Sequence, residues 1–167
     1  METRNSALGF VYRTRKNLEF LRKARTMDED VHLVAHLINS LLGLVVLPME
    51  RHPKDPMWTV SLEELQEWNW PNWIIIQDEK GEASNTTWTP TKSLGRLITH
   101  LRNAAAHGKF VFADNPESRN LSDIRVIVED APFNKPTNWR AEIGGEELYQ
   151  FCLLLTDYIQ HHLKPNP

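Results

Sequence analysis

At 167 residues, with 41% hydrophobic and 25% charged positions, the chain can bury a core large enough to need neither metal nor disulfides. The lone Cys152 excludes an internal disulfide, no run approaches the roughly 20 apolar residues that span a bilayer, and METRNSALGF lacks the apolar core of a secretory signal, so a single domain over residues 1–167, cytoplasmic and away from membranes, is expected. The net charge of −3 is uneven: residues 1–26 hold seven Lys/Arg against Glu2 and Glu19, a local +5 that leaves −8 for the rest, so one end is suited to a phosphate backbone or to simple solvation.

Residues 4–25 read as a first helix, with Leu8, Val11, Tyr12, Leu18 and Leu21 on its apolar side and Arg13, Arg15, Lys16, Arg22, Lys23 and Arg25 on its basic side. Asp28, Glu29 and Asp30 place negative charge where a second helix begins, and Val31, Val34, Ala35, Ile38, Leu41, Leu42 and Val45 keep helical spacing up to Pro48. His32 and His36 stand four apart, a spacing at which two imidazoles can share zinc. Their segment lacks the glutamate of the zinc-protease motif and has no third ligand, so a structural pair and no metal are expected.

Between 48 and 90 the pattern loosens into an elaborated connection with five prolines and Trp58, Trp68, Trp70, Trp73 and Trp88. Ser61 to Glu64 is a capping-box pattern for a short helix ending near Trp68, and Trp73 to Gln77 is a short strand or buried segment. The indoles can stack on bases, but in a loop-rich region they are expected to fill a small satellite core.

A third long helix is read in the stretch Leu94 to Gly108, with Leu94, Leu97, Ile98, Leu101 and Ala105 on its buried face and Gly108 placed for a left-handed cap. At about 100° per residue, Arg96, His100, Asn103 and His107 share one polar stripe, expected to be the exposed working surface, while Arg102 lies about 140° from His107. Lys109 to Ala113, Ser122 to Glu129 and Asn138 to Ile143 read as three strands of a sheet exposed on one face, an insertion over 109–143 in which Ile127 breaks the alternation. Pro116 and the Pro132 to Pro136 stretch serve as connections. A last amphipathic helix follows Gly144 and Gly145, carrying Leu148, Phe151, Cys152, Leu155 and Ile159, and the tail from His161 is expected to fray.

The chemistry gathers at Arg102-Asn103-Ala104-Ala105-Ala106-His107. An arginine can hold a phosphate by two parallel hydrogen bonds and a histidine can move a proton near neutrality, which together suffice for RNA cleavage without metal or other cofactor. On those residues the chain resembles the HEPN superfamily, whose signature is Arg-x(4 to 6)-His, with a polar residue after the arginine where Asn103 stands. The resemblance implies a bundle of four to five helices, and with the strands read above the expected fold is mainly α, with a small antiparallel β-sheet inserted before the last helix as a departure from a minimal bundle. It also implies a homodimeric endoribonuclease with a composite site, acting as a toxin or defence effector, with RNA and a neutralising antitoxin protein as partners. Arg102, Asn103 and His107 are then the catalytic residues. His100, Arg96, Arg13 and Arg15 are weaker RNA-binding candidates, each with packing or solvation as its plain alternative. The other reading is a HEPN-like module that binds RNA, a nucleotide or a protein, or dimerises, without turnover.

Overall fold

The structure, a computed structural model, describes residues 7–26, 33–79, 89–115, 118, 120–131 and 136–163. Residues 4–6, the Asp28 to Asp30 run, His32, Trp88, Pro116, Pro132 and the end from 164 lie outside them. Three long helices, α1 (Ala7–Thr26), α2 (Leu33–Arg51) and α5 (Gly145–Leu163), pack against one another, and α4 (Leu94–Ala106) packs on α2. The short α3 (Leu62–Glu67) begins with the expected capping box, Ser61 accepting from the Glu64 N–H and Glu64 from the Ser61 N–H. The mainly α bundle with its small sheet is therefore the fold.

Helix α2 runs three residues past its expected end. Pro48 falls in the last turn, where its missing N–H costs one bond and its buried ring adds apolar contact, and the helix carries on to Arg51 with the His52 N–H closing on the Pro48 carbonyl. Its 19 residues are long and apolar enough to cross a bilayer by length and composition, and here one face of them packs against α1, α4 and α5.

The sheet has four antiparallel strands in the order β1-β4-β3-β2: β1 (Ile74–Asp78), β2 (Phe110–Asp114), β3 (Ile124–Asp130) and β4 (Trp139–Gly144). Three come from the 109–144 insertion and the fourth, at the edge, from the tryptophan-rich connection. Ile74 and Ile76 are exposed on that edge, so the segment is a strand rather than a buried run. Ile127 does not break the alternation. Ile124, Val126 and Val128 turn inward while Arg125, Ile127 and Glu129 turn outward, and Ile127 sits opposite Val111 and Glu142 on the open face. That face is laced by Arg125 with Glu142 and Asp114 and by Arg140 with Glu129.

The expected satellite core of tryptophans is instead part of the main one. Trp70 and Trp73 meet Phe151 of α5 edge to face at 5.7 and 5.6 Å, and Trp58 is buried with them. An edge-to-face pair adds about 1 kcal/mol beyond the area it buries, which favours anchoring the connection to α5 over leaving it loose. Trp68 alone of the described tryptophans is half exposed.

Candidate functional site

Helix α4 is set at both ends by its own sequence. Ser93 accepts from the Arg96 N–H at 3.3 Å, and at the other end Gly108 takes φ +64, so that its N–H reaches Ala105 O and that of Lys109 reaches Ala104 O. These two bonds are a Schellman ending, and they fix His107 as the capping residue with its imidazole exposed to solvent. Among the described residues the His107 side chain has no hydrogen-bond partner.

Arg102 faces the end of α2, where its Nη2 lies 3.4 Å from Glu50 Oε1. The two side chains are 43% and 54% exposed, so the contact contributes at most about 1 kcal/mol and an incoming phosphate can displace it.

The polar stripe is not an open surface. His100 is only 5% exposed, because β3 and β4 cover this side of α4 and Trp139 stacks flat on the imidazole at 4.5 Å between ring centres. Its Nδ1 lies 2.7 Å from Asp130 Oδ2, and the same oxygen accepts from Asn103 Nδ2 at 3.1 Å. Asp130, at the last position of β3, is itself 7% exposed. A carboxylate is tolerated at such burial only when its oxygens are bonded, and here one oxygen holds two residues of α4. Since an ionised carboxylate can only accept, Asn103 turns its NH2 group toward Asp130 and keeps its carbonyl oxygen for other donors.

Asp130 is the residue that the sequence reading missed. A signal for it exists: it stands in phase with Ile124, Val126 and Val128, an inward-pointing acid at the end of an apolar strand face. The buried polar cluster continues through the Trp139 indole, which donates to Thr91 Oγ1 at 3.0 Å, and Asp78, which accepts from the Thr91 N–H at 2.6 Å. His100 Nε2 and Arg96 Nε are each buried without a hydrogen-bond partner among the described residues, and Arg96 is half buried. Neither His100 nor Arg96 is the open surface residue that the helical wheel implies.

On α1, Arg13 is exposed. Arg15 is half buried in ion pairs at the α1–α5 seam instead. Its Nε meets Glu19 at 2.9 Å, its Nη1 pairs with Asp157, and the same nitrogen reaches the Leu153 carbonyl at 3.3 Å, binding α1 to α5. Among the described residues no three His, Cys, Asp or Glu side chains converge as metal ligands would.

What the arrangement offers chemically is a solvent-facing imidazole at a helix end, a guanidinium one turn away held by a weak ion pair, and between them an amide clamped from behind. The model of the family described as HEPN pEK499 p136 matches residues 1–166. No curated protein and no solved structure matches the chain.

Proposed function

The chain belongs to the HEPN pEK499 p136 family, and from that premise we propose that it is a metal-independent endoribonuclease whose site forms where two copies of α4 meet. His107 takes the proton from a ribose 2′-hydroxyl as O2′ attacks the adjacent phosphorus. Arg102 neutralises the charge on the non-bridging oxygens, and the bond to O5′ breaks to leave a 2′,3′-cyclic phosphate. The departing O5′ takes its proton from solvent water. Asn103, with its carbonyl oxygen turned away from Asp130, orients the attacking hydroxyl.

The observation that carries this reading is the exposure of His107 at a fixed helix cap, five residues after Arg102 and four after a clamped Asn103. A twofold axis at this helix end accounts for the wheel angle of about 140° between Arg102 and His107, because each copy supplies what the other lacks. Action as a toxin or defence effector in the cytoplasm, held in check by a protein antitoxin, fits a small RNase that needs no cofactor.

The test is incubation of the purified chain with mixed RNA in EDTA beside His107→Ala and Arg102→Ala. Fragments ending in 2′,3′-cyclic phosphate that vanish in both variants support the enzyme, and equal degradation by all three sinks it. The pairing of Arg102 with Glu50 favours one second reading, a module that binds RNA or a nucleotide without turnover. In that case RNA binding weakens with salt while no cleavage appears.

A further inference from the structure

Helix α1 turns a stripe of alternating rings and cations to solvent. Tyr12, Lys16, Phe20 and Lys23 follow at intervals of four, four and three, one face of a helix. Phe20 is 69% exposed and Tyr12 is 53% exposed, with the Lys16 ammonium 5.8 Å from the centre of the Tyr12 ring. Among the described residues neither Lys16 nor Lys23 pairs with a carboxylate, and the one acid of α1, Glu19, is held by Arg15.

Beside this stripe a groove of about 400 Å³ runs between α1 and α2. Phe10 and Phe20 form its apolar walls, and Asn17, His36, Asn39 and Ser40 line it with amides, an imidazole and a hydroxyl. Gly43 leaves room for the Phe10 ring that forms one wall, since a Cβ there would stand 2.2 Å from Phe10 Cζ. An apolar helix of a partner protein laid here would bury those four polar side chains without bonds, at a cost of about 1–3 kcal/mol each. A flat heterocycle with donors and acceptors on its rim meets both demands. Its face lies on Phe20, its edge bonds to the amides and hydroxyl, and the phosphates on either side fall to Lys16 and Lys23, which flank Phe20 by about 6 and 4.5 Å along the helix axis.

We propose that the groove between α1 and α2 is a nucleobase-binding site for single-stranded RNA, with Phe20 as the stacking platform and Lys16 and Lys23 as the phosphate contacts. The site rests on RNA being the ligand, as above, but binding is separable from cleavage. The experiment uses the full chain carrying His107→Ala, so that bound RNA stays intact, and follows the fluorescence anisotropy of labelled oligo(A), oligo(U) and an abasic ribose-phosphate strand of equal length.

Phe20→Ala is expected to weaken oligo(A) and oligo(U) roughly tenfold and to bring them close to the abasic strand, while Phe20→Trp restores them. Lys16→Ala and Lys23→Ala are each expected to flatten the slope of log affinity against log salt by about 0.7. Because Phe20 is so exposed, its truncation leaves the core intact. Affinity unchanged by Phe20→Ala overturns the site even if the wild-type chain cuts RNA. If Phe20→Ala alters only self-association in sedimentation, the groove is a contact between copies and the site is likewise overturned. Binding that depends on Phe20 while the wild-type chain never cleaves RNA upholds the site and removes the endoribonuclease reading, and absence of any RNA binding overturns the site.

Discussion

Asp130 is where single side chains decide the most. Replacing it by alanine leaves His100 Nδ1 and Asn103 Nδ2 facing a buried space with nothing to accept them. A loss of about 3 kcal/mol in urea unfolding is expected, with a smaller loss for Asp130→Asn, which keeps one acceptor. His107→Ala should move stability by no more than about 0.5 kcal/mol, since the side chain is exposed and unbonded, yet abolish RNA cleavage. A large destabilisation by His107→Ala would mean that it is a capping residue only. The motif of Arg102, Asn103 and His107 is legible as a motif because its relation is local, a spacing along one helix. The pairing of Asn103 with a residue 27 positions later is not written in any local pattern. A helical wheel treats every polar stripe as facing water, and it had no means of seeing that the sheet folds back over His100.

At the scale of elements, chemistry specific to one position was the surest guide. The capping box at Ser61 and the glycine after His107 stand where their patterns place them, because each satisfies backbone groups left open at a helix end. Gly108→Ala, forced to keep φ near +64, is expected to cost about 1 kcal/mol by thermal or urea unfolding, while a neutral result would show that the cap can rearrange. Strand alternation located β2, β3 and β4 closely. It did not reveal that β1 completes the sheet, since its partner β4 lies some 60 residues away and both faces of Ile74 to Ile76 are apolar. Pro48 was over-read as a stop, because a proline in a last turn forfeits one bond where few remain to lose.

For the whole molecule the decisive question is whether the site needs two chains. If Arg102 of one copy serves with His107 of the other, mixing the inactive Arg102→Ala and His107→Ala chains regenerates a complete site in each heterodimer, and about a quarter of wild-type cleavage should return after exchange. No recovery would place both residues in one chain's site. Cys152 gives a separate measure of global integrity. Burial in the core pushes its thiol well above the ordinary range, so a thiol reagent at neutral pH should react with it only after unfolding by denaturant.

The clamp on Asn103 also imposes an order on synthesis. Arg102, Asn103 and His107 leave the ribosome together, but the carboxylate that sets Asn103 is made 27 residues later, at the end of a strand that pairs with β4. A nascent chain thus carries the whole motif for a time with its amide unset and its fourth helix uncovered. If the chain is the nuclease proposed above, a site that is assembled last is one that spares the machinery making it.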